Sequence, residues 1–418
     1  MENPIKPKTK FKQTEIGMIP EEWEKTIVGL VCNIKNGKTN SQDAVEDGEY
    51  PFFDRSLQIK RSNKYLFDCE AIIIPGEGKE FIPRYFKGKF DLHQRSYAIW
   101  RKEKEVNLKF IYYWILKNRD YLARVAVGST VGSLRLNHIQ NFQLGLPPLP
   151  EQRAIAKVLS AFDDKIELLQ KMNKTLEAIG QAIFKHWFID FEFPNEQGKP
   201  YKSSNGEMVF NEELGKEIPK GWRVGRLGDV GDFKNGINYL RDEKGDMEFS
   251  IVNVRDIANN KFLLKEQLDK INIDFNKAKE YLLERRDIII ARSAIPGEVS
   301  LMVGDTENVI FSGFSIRLRL HNPNNWLYIF FTLQNLKQQL ANFSIGTTIK
   351  SVNQESLKSI LIVLPSEKIL NQYNKISEIY FNKIAYALTE SHTLSQIRDL
   401  LLPKLMSGKI RVPLEDRK

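Results

Sequence analysis

At 418 residues with 42% hydrophobic content, the chain is too long for one comfortable core, so two or more packed domains are expected. Its 62 Lys plus Arg against 53 Asp plus Glu give a net charge of +9, a moderate basic excess that favours a polyanionic partner without proving one. Two cysteines, Cys32 and Cys69, exclude a disulfide framework and suit a reducing cytosol, with both thiols read as small buried residues. The opening MENPIKPKTKFKQTEIG lacks the apolar core of a signal peptide, and no stretch approaches the ~18 apolar residues of a membrane span. A soluble, cytoplasmic protein without a membrane partner is the expectation.

The first predicted elements follow Ile19-Pro20-Glu21-Glu22-Trp23 and Lys35-Asn36-Gly37. A β-branched run, Ala71 to Ile74, reads as a strand closed by Pro75-Gly76. An aromatic, amphipathic helix is expected around Phe110 to Leu122, its rings serving as core. Then come the loop Gly128-Ser129-Thr130 and a strand ending at Leu146. Pro147, Pro148 and Pro150 force extended backbone and donate no hydrogen bonds, so a helix is expected to start at Glu151, whose carboxylate suits the N-terminal dipole. Ile155, Leu159, Phe162, Ile166, Leu169, Leu176 and Ile183 form a heptad seam interrupted by Asn173 and Gly180, and the helix is expected to end near Asp190.

After a polar segment, the same series returns. Ile218-Pro219-Lys220-Gly221-Trp222 and Lys234-Asn235-Gly236 repeat the opening at an offset of 199. Asn325 to Phe331, Gly346-Thr347-Thr348 and Leu364-Pro365 repeat the later signals at an offset of 218, so the second copy carries 19 extra residues between these two sets. Asp287 to Ala291 supplies the matching strand and Trp326 to Leu340 the aromatic helix. A second long helix presents Tyr373, Tyr380, Ile384, Leu394 and Leu401, with Ile376 and Ile397 near them, as the partner seam.

The resulting fold class is α+β: two pseudo-repeated domains separated by a long antiparallel two-helix coiled coil with approximate internal twofold symmetry. The expected divisions are 1–148 for an N-terminal arm and first domain, 149–190 for the central helix, 191–218 for a linker, 219–365 for the second domain and 366–418 for the C-terminal helix. A helix of about 36 residues spans roughly 54 Å, longer than one ~34 Å turn of DNA.

Taken in order and duplicated, these segments resemble the specificity subunit of a type I restriction-modification enzyme. The residues that carry the likeness are the two Pro-Trp openings, Leu146 to Gln152 (LPPLPEQ), Ile183 to Phe191 (IFKHWFIDF) and Leu402 to Ile410 (LPKLMSGKI). The resemblance implies two target-recognition domains reading the halves of an asymmetric split target in double-stranded DNA. It also implies helices that dock two methyltransferase subunits, with restriction/translocase subunits in the wider complex. On that reading the chain has no cofactor of its own; S-adenosylmethionine belongs to the methyltransferase, and ATP and Mg to the restriction subunit. Glu151, Gln152, Phe184, Trp187, Phe188 and Leu405 are the candidate partner contacts. Ser366-Glu367-Lys368 departs from the Pro-Glu-Gln signature in the second copy.

Chemistry within the chain finds little support in the residues. Asn322-Pro323-Asn324-Asn325 lacks the second proline and aromatic of a base-flipping adenine methylase, and Gly76-Glu77-Gly78-Lys79 has the wrong spacing for a phosphate loop. The five histidines show no metal-ligand spacing. No catalytic or metal-binding residue is expected; a stand-alone Mg-dependent nuclease using Glu77 and Lys79, and a structural adaptor that does not bind DNA, are the competing readings.

Candidate DNA contacts in the first copy are Lys38, Thr39, Asn40, Ser41, Arg84, Gln94, Arg95, Ser129, Thr130 and Arg135. In the second copy they are Asn238, Tyr239, Arg241, Arg292, Ser293, Thr347, Thr348 and Lys350. Arginine suits guanine, Asn or Gln suits adenine, and the Gly-Ser/Thr loops with a nearby cation suit phosphate.

Overall fold

The computed structural model describes residues 9–56, 58–128, 131–240, 243–337 and 352–413. The chain divides into two compact units, Met1–Ile166 with Thr393–Lys418, and Glu167–His392. Each unit contains part of each long helix, Leu149–Phe184 and Glu367–Met406.

In the first unit a six-stranded sheet runs in the order Cys32–Asn36, Ser96–Arg101, Phe67–Pro75, Arg84–Leu92, Tyr50–Phe53, Lys60–Ser62. Its central strand is the β-branched run: Ala71, Ile72, Ile73 and Ile74 are buried, facing alternately into two cores. One face packs on helix Leu108–Lys117, capped by the Asn107 side chain, which accepts from the Phe110 amide at 3.0 Å. The expected single aromatic helix breaks at Asn118, and a second helix covers Arg119–Val125. Trp23 is fully buried, edge-on to Phe110 at 6.2 Å, and strand Gln143–Leu146 pairs with Glu24–Ile27 just after it.

The second unit repeats this plan. Gly231–Asn235, Ser315–Leu320, Ile288–Ala291, Val299–Val303 and Phe262–Leu264 form a five-stranded sheet, beside a three-stranded one of Asp269–Ile273, Met247–Val252 and Val309–Phe311. Asn36 pairs with Tyr97 as Asn235 pairs with Ile316, and Pro75 pairs with Ser96 as Ala291 pairs with Ser315. These registers locate the length difference. From Asn36 to Pro75 is 39 positions and from Asn235 to Ala291 is 56, so most of the extra chain lies between the first strand of the sheet and its central one, where helix Val254–Asn259 and strand Phe262–Leu264 are added.

The first long helix begins at Leu149 rather than Glu151, because Pro150 sits in the first turn, where its missing N–H has no intrahelical acceptor to lose. It ends at Phe184 and passes through a π-helical turn, Lys185–Ile189, before Asp190. In the first unit its residues run antiparallel to the C-terminal segment: Asp163 binds Arg398 at 2.6 Å and Glu151 binds Arg411 at 2.7 Å. In the second unit the same sense holds, with Gly180 against Tyr380 and Trp187 against Tyr373. Ile155, Leu159, Ile166 and Leu169 are buried along the seam, as are Tyr373, Tyr380 and Ile384, whereas Ile376 and Ile397 are exposed. Asn173 is a buried seam residue whose Oδ1 finds no partner among the described residues.

The expected polar linker is instead part of the second unit. Phe191 and Phe193 are buried against Trp222, the latter stacked on it at 4.9 Å, and Met208–Asn211 pairs with Lys216–Pro219 in a hairpin. The first unit covers its own Trp23 with the segment after the second helix, where Gly408 meets Pro20 and Trp23.

Candidate nucleic-acid interface

In the first unit the Asn36-Gly37 bend is bonded to the turn between strands Arg84–Leu92 and Ser96–Arg101. The amides of Gly37, Lys38 and Thr39 donate to Ser96 and Leu92 carbonyls at 3.1–3.2 Å, and the Gln94 amide donates back to the Thr39 carbonyl at 3.0 Å. A side chain on Gly37 would collide with the Leu92 and His93 carbonyls, so glycine is required by the close approach. This backbone clasp brings Lys38, Asn40, Gln94 and Arg95 to one edge of the sheet. Gln94 donates its Nε2 to Asn40 Oδ1 at 2.6 Å, and exposed Arg95 pairs with Glu77, which Arg55 also approaches at 3.8 Å. Glu77 is thus held by two arginines, a setting unlike that of a metal ligand awaiting its ion.

Some expected readers serve the scaffold instead. Thr39 is buried, and its hydroxyl donates to both oxygens of the buried Asp91 carboxylate at 2.9 Å, where Ser62 and the Leu92 amide also converge. Its side chain therefore cannot reach a groove. Ser41 is exposed but donates to Asp54 at 3.1 Å. Burial pushes the Asp54 carboxyl up, yet Lys60 at 2.7 Å, the Ser56 amide and Ser41 outweigh it and hold the group below the usual carboxylate range. Arg84 is half-buried, donates to the Ser56 carbonyl and lies over Phe53; burial lowers its pKa, and its Nη1 has no partner among the described residues. Arg135 is exposed just after Leu134, whose amide donates to Gly76, at the start of helix Leu136–Gln140.

The second unit builds a similar clasp, with the return bond one residue earlier. Gly236 donates to the Ser315 carbonyl at 3.1 Å, Ile237 to Phe311 at 2.9 Å, and Gly313 to Ile237 at 2.8 Å. Its side chains differ. A cleft of about 850 Å³ opens here, lined by Asn238, Tyr239, Asn253, Arg255, Lys270 and Phe314 among others. Tyr239 donates its hydroxyl to Asn253 Oδ1 at 2.9 Å, and Arg255 pairs with Asp269 and Asp256. Ser293 and Arg292 follow the central strand beside Phe314, with the Arg292 amide donating to the Phe314 carbonyl at 2.9 Å. Ser129, Thr130, Arg241, Thr347, Thr348 and Lys350 lie outside the described residues.

Sequence reasoning missed Asn253, Arg255, Lys270 and Phe314. Arg255 lies in the extra chain of the second copy, which has no counterpart to align, while Asn253 and Lys270 sit at the end of, and across from, a strand whose match to Tyr50–Phe53 only the pairing register reveals. Phe314 was findable, since it precedes Ser315 as Arg95 precedes Ser96.

All six expected partner contacts require correction, because each is buried within its own unit. Glu151 accepts from Trp23 Nε1 at 3.1 Å and from Nε and Nη2 of Arg411 at 2.7 and 2.9 Å, and Gln152 binds the Asn107 amide and the Pro147 carbonyl at 2.8 Å. Phe184, Trp187 and Phe188 pack with Tyr328, Tyr373 and Trp222, and Leu405 lies in the first unit's core. These aromatics pack on the chain's own sheet-and-helix core rather than on a partner. The altered signature of the second copy fits this: Ile369 and Leu370, at the places of Glu151 and Gln152, are buried in an apolar core that needs no carboxylate.

The sequence family described as type I restriction modification DNA specificity domain matches residues 20–178 and again 219–397. The type I restriction enzyme MjaIX specificity subunit of Methanocaldococcus jannaschii is 30% identical over 434 residues, covering 97% of each chain. The EcoDI specificity subunit of Escherichia coli is 28% identical over 240 residues, 54% of this chain and 52% of that one. The crystal structure of a type I restriction-modification S subunit from M. genitalium superposes with a TM-score of 0.61 over 98% of this chain and 100% of that one, at 18% identity, a likeness of fold. No helix among the described residues is long and apolar enough to cross a membrane. With the domain matched twice and a relative aligned from end to end, the chain belongs to the family of type I restriction-modification DNA specificity subunits.

Proposed function

We propose that each unit reads one half of an asymmetric, split sequence in double-stranded DNA, and that the chain does so without catalysing any reaction itself. The observation that carries this is the repeated backbone clasp bearing unlike side chains: Asn40, Gln94 and Arg95 in one unit, Asn238, Gly313 and Phe314 in the other. A fixed frame with exchanged donors, acceptors and apolar groups suits two different base sequences. The net charge of +9 suits the phosphate backbone. Lys38, Arg135 and Lys270 are exposed or half-exposed cations beside the clasps and are assigned to phosphates.

Methyltransferase subunits are the proposed partners, with S-adenosylmethionine on them and ATP and Mg on the restriction subunit. Their docking is assigned to apolar residues that the helices leave exposed, Leu168, Ile179, Ile379 and Tyr386 in the second unit and Leu400 in the first. Comparing methylomes of cells with and without the gene tests the reading. A split adenine-methylated motif with two unlike halves should vanish on deletion; a palindromic motif, or none, refutes it. Tyr386→Glu and Leu168→Glu should abolish copurification with the methyltransferase while leaving the chain folded.

A further inference from the structure

The two units exchange the position of one cation. The Leu134 amide donates to the Gly76 carbonyl as the Val352 amide donates to that of Arg292, and Ser96 faces Pro75 as Ser315 faces Ala291. By this register Phe314 occupies the place of Arg95, and Arg292 the place of Gly76. The first unit thus carries its cation on the turn beside a glycine. The second carries it on the adjoining strand end, one backbone hydrogen bond from the turn, and the turn presents a phenyl ring.

That ring is 66% exposed, at a cleft lined by Tyr239 and Ile271 as well as by Asn238, Asn253, Arg255 and Lys270. The ring continues the apolar part of the cleft lining, and an exposed apolar area rimmed by polar groups is the kind of surface that marks a binding groove. Among the base edges of the major groove, the thymine 5-methyl is the apolar feature, and an apolar side chain is its reader. We propose that Phe314, with Arg292 bonded behind it, selects a thymine through its 5-methyl group, while Arg292 supplies the cation that Arg95 supplies in the first unit. This rests on the reading of the second unit as a half-site reader. The two turns then divide labour by chemistry, with Arg95 suited to guanine O6 and N7 and Phe314 to a methyl.

The test uses the subunit assembled with its methyltransferase and duplexes carrying the motif recovered from the methylome, each thymine replaced in turn by deoxyuridine. Removing one buried methyl predicts about a fourfold loss of affinity at a single position of one half-site. That sensitivity should disappear in Phe314→Ala and survive in part in Phe314→Leu. In Arg292→Ala overall affinity should fall while the uridine effect persists. If the complex prefers its motif over a scrambled duplex but no thymine shows methyl sensitivity dependent on Phe314, the inference is overturned and the half-site reading stands. A ring wedged between base steps, seen as unstacking of 2-aminopurine with no uridine effect, also overturns it. A wild-type complex with no preference for the motif overturns both.

Discussion

Gly180 provides a test in which helix propensity and packing predict opposite signs. It lies within the helix Leu149–Phe184, where replacing glycine by alanine ordinarily stabilises by about 1 kcal/mol. A Cβ there would stand 2.8 Å from Tyr380 Cε2 and 3.2 Å from Phe331 Cζ. Both rings are buried, and the Tyr380 hydroxyl is within 3.4 Å of that of Tyr373, so neither can swing aside freely. Overpacking a tight core costs ~1–3 kcal/mol. Packing should win, leaving Gly180→Ala destabilised by about 1 kcal/mol and Gly180→Leu by roughly 3 kcal/mol. Because two units share the chain, a single melting temperature would mix their transitions, and hydrogen exchange of amides in this helix reports the local opening instead. In a Tyr380→Leu background the space is opened, and Gly180→Ala should there become stabilising, a coupling of about 1–2 kcal/mol. If alanine raises protection equally in both backgrounds, the close approach of the helices at this glycine is wrong.

Alkaline titration should separate the buried hydroxyls and thiol from the rest: burial pushes Tyr112, Tyr380 and Cys32 up to about 12, with the Asp163 charge adding to the shift at Tyr112. Groups raised in the folded state lend stability that is full below their ordinary values, near 9 for Cys and 10 for Tyr, and is lost as pH rises toward 12, so phenolate absorbance should show a late step coincident with unfolding. For the same reason Cys32 should resist alkylation at pH 8 until the protein is denatured. Arg411→Ala leaves the buried Glu151 carboxylate with Trp23 as its remaining partner and should cost the first unit ~1–3 kcal/mol, discounted because the arginine is partly exposed. Glu151→Gln in that background should recover part of the loss, measured by exchange at Trp23 and its neighbours; no recovery would mean that the buried charge is not the source.

The elements legible in the sequence were those whose signal is local or repeated. Ile72 to Ile74 declared a buried strand by β-branching alone, and the prolines before Glu151 placed the start of a helix to within two residues. Duplication supplied the rest of the plan, since Trp23 and Trp222 had to play one role. What stayed hidden depended on side chains meeting across long separations. Nothing near Thr39 announces that Asp91, 52 residues away, will take its hydroxyl inside, and nothing near Glu151 announces Arg411. Phe191 and Phe193 sat in a polar stretch whose average concealed them, yet alternate aromatics beside a buried Trp are a strand-like core signal. The added segment around Val254–Asn259 had no partner copy to reveal it, and it brings Arg255 to the second unit's cleft.

The distribution of these differences carries its own argument. Where the two copies agree residue for residue, the agreement is forced by backbone: the Asn-Gly bend admits no side chain at Gly37 or Gly236, and the clasp bonds are made by main-chain groups that any sequence possesses. On the turn that follows the clasp, the positions where they disagree are side chains that the clasp exposes but does not use. Gln94 and Arg95 can become Gly313 and Phe314 without touching a backbone bond of the clasp, whereas a change at Thr39 strips the buried Asp91 carboxylate of one of its three donors, leaving Ser62 and the Leu92 amide. A frame held by its main chain is therefore free to vary at its readers, and the cost of a new specificity in this fold falls on few residues. It follows that Arg95→Phe in the first unit should fold as well as the native chain, Glu77 keeping Arg55 nearby, while shifting the bases that one half-site accepts and leaving the other half unchanged. A variant that unfolds, or that alters both halves together, would show that frame and readers are not separable.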